Sequence, residues 1–120
     1  MYNHSMLLAS SLQGNMVKNR LGEKLGSVKD IMICTSTNEI KYYVLSFGGF
    51  LGFGDKLFAI PPQAMQLNKE DNYFLLNVEK NQLENAEGFD KDSWLNMSDS
   101  QFRDRIYTHY GYDYPHHDAA

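Results

Sequence analysis

Residues 28–62 read VKDIMICTSTNEIKYYVLSFGGFLGFGDKLFAIPP, and this stretch decides the fold. Val28, Ile31 and Ile33 are β-branched and suit a pleated strand. Thr35-Ser36-Thr37-Asn38 then supplies a turn, because Ser, Thr and Asn side chains bond locally to backbone. Ile40 to Phe47 is a second run. Ile40, Tyr42, Val44 and Ser46 fall on one face, and Tyr43, Leu45 and Phe47 on the other. Apolar residues on both faces predict a strand buried on both sides. The two runs make a hairpin with a four-residue connection. Lys56 to Ile60 is a third strand, closed by Pro61-Pro62, which cannot donate to a ladder.

Outward from this block the same alternation continues. Val17 to Leu25, with Gly22, reads as a polar approach to the first strand. Pro62 to Met65 suits one helical turn, and Leu67 opens a further strand. Asn68 to Asn72 turns it back into Tyr73 to Val78. Short strands at close spacing, with no long helix between them, favour a small antiparallel barrel or sandwich. From residue 79 the period changes. Glu79 to Glu84 suits a helical turn, and Ser98 or Asp99 is placed to cap a helix running to Tyr110. Phe102, Ile106 and Tyr110 fall at i, i+4 and i+8 and make one apolar stripe, with Gly111 as terminator. Trp94 and Phe89 are expected to anchor the approach of this helix to the barrel. The expected organisation is a tail at 1–5, a barrel at 6–78, a helical extension at 79–112 and a tail at 113–120.

Composition narrows the function. The chain of 120 residues is one domain's worth and has a formal net charge of -4. That balance makes nucleic acid an unfavoured partner. Charge is uneven: residues 1–60 hold 6 Lys/Arg against 4 Asp/Glu, and residues 61–120 hold 5 against 11. Cys34 is the one cysteine, so no intrachain disulfide forms, and it reads as a small core residue in a strand. No stretch approaches the roughly 18 apolar residues of a membrane span, and a cytoplasmic location is expected.

The loop Gly48-Gly49-Phe50-Leu51-Gly52-Phe53-Gly54 has four glycines and three large apolar residues. It lacks the order of a nucleotide-binding motif, and no Gly-Lys-Ser/Thr follows. It reads either as a bend folded over the barrel mouth or as an apolar contact, with Phe50, Leu51 and Phe53 as candidate interaction residues. His4, His109, His116 and His117 have no metal-ligand spacing, and the carboxylates Glu84, Glu87, Asp90, Asp92 and Asp99 suit solvation or capping. No catalytic, cofactor-binding or metal-binding set is expected.

These residues resemble the PRC-barrel domain proteins over about residues 6–112. The resemblance is carried by Leu12-Gln13-Gly14, by Gly22 to Met32 and by the long block Ile40 to Pro61. Leu83 to Asp92 and Trp94 resemble the stand-alone bacterial members. Pro62 departs from the pattern, since such proteins often carry Trp there. The resemblance implies a strongly bent antiparallel sheet closing into a barrel, with a C-terminal helical extension. Related domains form the cytoplasmic part of the photosynthetic reaction-centre H subunit and the C-terminal domain of a ribosome maturation factor. Both have interaction and assembly roles, and the family brings no catalytic residue set.

The leading expectation is therefore a non-enzymatic protein–protein interaction module that forms a homo-oligomer, with no cofactor and an unidentified protein partner. The alternatives are an RNA- or ribosome-associated assembly factor using Lys18, Arg20, Lys24 and Lys29, and a small-molecule-binding barrel.

Overall fold

A computed structural model describes residues 8–47, 56–68, 70–86, 88 and 100–112. Its first hairpin joins β2 (Lys24–Cys34) to β3 (Glu39–Phe47). Asn38 sits at φ 61, the left-handed region that Asn tolerates, and its N–H bonds the Cys34 carbonyl at 2.7 Å. The hairpin of β5 (Met65–Asn68) and β6 (Tyr73–Leu76) repeats the device. Asn72 lies at φ 58, and its N–H bonds the Asn68 carbonyl at 2.8 Å. Between the hairpins runs β4 (Lys56–Ile60), followed by Pro61 and a 3-10 turn over Pro62–Ala64. The two prolines turn the chain at the corner between β4 and β5, where no ladder N–H is needed.

One strand lies where the sequence reads as a polar approach. It is β1 (Met16–Lys18), which pairs antiparallel with β2 and parallel with β6. Three residues with a single inward apolar side chain, Val17, leave no period to read. The six strands run in the order β4-β3-β2-β1-β6-β5 as a curled half-barrel, and the β1–β6 ladder is its parallel pair among the described residues. Two short helices, α1 (Ala9–Leu12) and α2 (Lys80–Glu84), add Leu12 and Leu83 to the inner core.

All six strands send side chains into one inner cluster, which includes Val17, Leu25, Leu45, Phe58, Met65 and Leu76. A second cluster lies on the opposite face of β3 and β4. There Tyr42, Val44, Leu57 and Ala59 are covered by Phe102, Ile106 and Tyr107 of α3 (Ser100–His109). The expectation that β3 is buried on both sides holds, and α3 is the reason. Each large side chain so buried contributes about 1.5–3 kcal/mol. Tyr110 extends the stripe and is half-buried, while Tyr107 joins Phe102 and Ile106 in the contact. Gly111, at φ 85, ends α3: its N–H bonds the Thr108 carbonyl at 3.0 Å and the next N–H, of Tyr112, bonds the Tyr107 carbonyl at 2.9 Å. Phe89, Trp94, Ser98 and Asp99 lie outside the described residues.

Two neighbouring tyrosines, Tyr42 beneath α3 and Tyr107 on it, differ in one respect. The Tyr107 hydroxyl donates to the Lys41 carbonyl at 3.1 Å, whereas the Tyr42 hydroxyl is buried with no partner among the described residues. Burial pushes the Tyr107 phenol up to about 12 and raises that of Tyr42 as well. An unpaired buried hydroxyl costs about 1–3 kcal/mol, and a satisfied one contributes about 1. Tyr42→Phe is therefore expected to raise the urea midpoint and Tyr107→Phe to lower it. Equal losses in the two variants would show that the Tyr42 hydroxyl has a partner.

Candidate interaction surface

The outer ends of the β2–β3 hairpin pass beyond their neighbours. β1 pairs with β2 at Lys24, Gly26 and Ser27, and β4 pairs with β3 from Tyr43 onward. Residues Lys29–Cys34 and Glu39–Tyr42 thus form a two-stranded arm. Its open edge carries Ile33, which is 49% exposed. The Ile31 N–H on that arm bonds the Asp30 carboxylate at 2.8 Å, which fills one edge position with a charge. Charged side chains at an edge discourage indiscriminate strand pairing.

Cys34 closes the arm. It is half-buried rather than part of the core, because neither cluster reaches the end of β2. A hydrogen bond with the Thr37 side chain, backbone N–H groups of Thr37 and Ser36, and the Lys41 charge hold its thiol below the ordinary value. The sequence reading finds no cation near this thiol. Lys41 comes close only through the β2–β3 pairing.

The expected loop contact involves other residues. Residues 48–55 join Phe47 to Lys56, which face each other across the β3–β4 ladder. Phe50, Leu51 and Phe53 themselves lie outside the described residues, as do His4, His116, His117, Glu87, Asp90, Asp92 and Asp99. His109 packs edge-on against the Tyr110 ring, with centroids 4.8 Å apart. Among the described residues no group of three or more His, Cys, Asp or Glu is placed to hold a metal ion. Among them, too, no helix is long and apolar enough to cross a membrane.

The basic residues are partly brought together. Lys18 and Lys24 are direct partners across the β1–β2 ladder. The Lys18 ammonium lies 5.0 Å from the centre of the Tyr73 ring, a cation–π contact. Arg20 sits in the turn that follows β1, while Lys29 stands farther along β2.

Two buried polar residues, Asn19 and Ser46, are not marked as buried by the sequence. Asn19 is only 4% exposed and ties the β1–β2 turn to the segment that follows β6. Its Oδ1 accepts from the N–H groups of Leu21 at 3.0 Å and Glu23 at 2.9 Å. Its Nδ2 donates to the Glu23 carboxylate at 2.8 Å and to the Val78 carbonyl at 3.1 Å. Ser46 is 6% exposed and lines a cleft of about 300 Å³ with Gly26, Ser27, Lys24 and Lys80. A second cleft, also about 300 Å³, lies beside Asn19, Arg20, Glu79 and Gln82.

Comparison with known proteins fits this architecture. No curated protein matches the chain. Among solved structures it is similar to a protein assigned to 16S ribosomal RNA processing, RimM, from Pseudomonas aeruginosa. The identity is 14% and the TM-score 0.41, over 67% of this chain and 50% of that one. The chain thus spans half the length of that relative. The model of the PRC-barrel domain matches residues 4–83, two thirds of the 120 residues, and the chain belongs to the PRC-barrel domain family.

Proposed function

We propose that the chain is a non-catalytic interaction module, which presents its outer surface to protein partners and self-associates through Phe50, Leu51 and Phe53. The observation that carries this reading is the filled interior. Val17, Leu45, Phe58, Ile60, Leu76 and Leu83 are buried together in the inner cluster, so the barrel works as a scaffold. Recognition then falls to the rim and outer surface, with the Ile33 arm and the 48–54 loop as its apolar elements. Sedimentation over a concentration series should give a mass above the 13.8 kDa monomer. Replacing Phe50 and Phe53 together by Ser should return the monomer. Monomer alone at every concentration removes self-association, and an intact assembly in the double variant removes the loop from it.

A second reading, docking on ribosomal RNA, draws on the Lys18–Lys24 pairing with Arg20 in the adjoining turn. Binding of that kind weakens steeply with salt through counterion release. Failure to cosediment with ribosomal particles at low salt excludes it.

A further inference from the structure

Lys18 and Lys24 face each other across the β1–β2 ladder, and like charges so placed destabilise a sheet. Lys18 is offset by the Tyr73 ring. Lys24 has no such relief: it makes no ion pair or ring contact among the described residues. Glu23, its neighbour, directs its carboxylate to the Asn19 amide. Lys24 instead lines a cleft that Lys80 of α2 also lines.

Gly26, Ser27 and Ser46 line the same cleft. Gly26 lies so close to the Ser46 carbonyl that no side chain fits between them. Ser27 and Ser46 face each other across the ladder at that level. The Ser46 side chain, more than nine-tenths buried, makes no hydrogen bond among the described residues. Its hydroxyl is not among the buried polar atoms left without a partner, so it meets solvent in the cleft and can donate to a ligand there. The described lining includes Lys24, Lys80, Ser27 and Ser46 beside Leu25 and Phe47, and no Asp or Glu.

We infer that this cleft is a binding site for a phosphoryl group. A dianion with several acceptor oxygens meets both lysines at once, and its remaining oxygens accept from the serine hydroxyls. A carboxylate brings half the charge and fewer acceptors, so two cations discriminate against it. Free phosphate and the phosphomonoester of a larger molecule offer the same chemistry. The inference does not rest on the proposed apolar contact.

The test is a titration of the full chain at low ionic strength and pH 7.5, followed by amide chemical shifts. Inorganic phosphate and phenyl phosphate are the probes, and acetate is the control. Saturable shifts centred on Gly26, Ser27 and Ser46 are expected. Lys24→Gln and Lys80→Gln should each weaken binding about tenfold, and Ser46→Ala severalfold. Arg105→Gln, on an exposed arginine of α3 outside the cleft, should leave it within about twofold. Saturation by both probes identifies a site that takes the free ion. Saturation by phenyl phosphate alone identifies one that takes the ester, and either result supports the inference. Shifts that do not saturate mean an adventitious ion only and overturn it. So does acetate binding as tightly as phosphate, or unchanged affinity in both cleft-lysine variants.

Discussion

Gly26→Ala is expected to lower stability by about 3 kcal/mol or more, a Tm loss on the order of 10 °C. Two effects add. Gly26 lies at φ 153, a region that L side chains rarely adopt. A Cβ there would also run into the Ser46 carbonyl, with the Ser46 carbonyl carbon at 3.0 Å and Phe47 Cα at 3.2 Å. These are backbone atoms of β3, held in the Ser27–Ser46 pairing, so no side chain can swing aside to relieve the clash. The loss would be a large part of the total for a single domain, about 5–15 kcal/mol. Gly22→Ala is the control. Gly22 sits at φ 82 with open space around its Cα, so strain of about 1 kcal/mol is all it should show. Equal melting temperatures for the two variants would mean that β2 and β3 do not approach so closely at Gly26.

Asn19→Ala is expected to cost about 2–4 kcal/mol, since four hydrogen bonds at about 0.5–1.5 kcal/mol net converge on one buried amide. The damage should spread beyond the turn. Without Nδ2 the Val78 carbonyl loses its donor, and the join of the β1 end to the segment after β6 loosens. Hydrogen exchange at Val17, Lys18 and Leu75 should accelerate more than exchange in the β2–β3 hairpin. Asn19→Asp sharpens the test. It keeps the acceptor but turns a carboxylate toward the Val78 carbonyl and Glu23. Neither carboxylate oxygen can donate, so Asn19→Asp should lower the urea midpoint at neutral pH at least as far as Asn19→Ala. A urea midpoint within the error of wild type for Asn19→Ala would refute the hub.

Much of the fold is legible because its decisive signals are local. Thr35 to Asn38 and Asn68 to Asn72 name their own turns, and Phe102 and Ile106 name the face of α3. The double-sided burial of β3 is visible as apolar residues in both registers of Tyr42 to Phe47. What escapes depends on partners distant in sequence. Met16–Lys18 is a strand only because Phe74 and Leu75 lie alongside it. Asn19 reads as an ordinary turn residue until Val78 arrives, 59 positions later. Ser46 alternates with Tyr42 and Val44, so its face is readable. Its burial follows from Gly26 pressing on the same stretch of β3, which no local pattern encodes. The glycine-rich loop is conspicuous by composition, yet composition alone does not separate a bend over the barrel mouth from a contact.

The parallel ladder between β1 and β6 sets an order of events for a chain leaving the ribosome. The β2–β3 hairpin can zip as soon as Phe47 has emerged, and β1 can lie against β2 at once. The other margin of β1 has nothing to join until Phe74 and Leu75 have been synthesised. Closing a span of that length is slow compared with zipping a hairpin. During that interval Val17 and the half-built interior stand open. Nascent copies crowded on one messenger would therefore be most prone to mispair at β1.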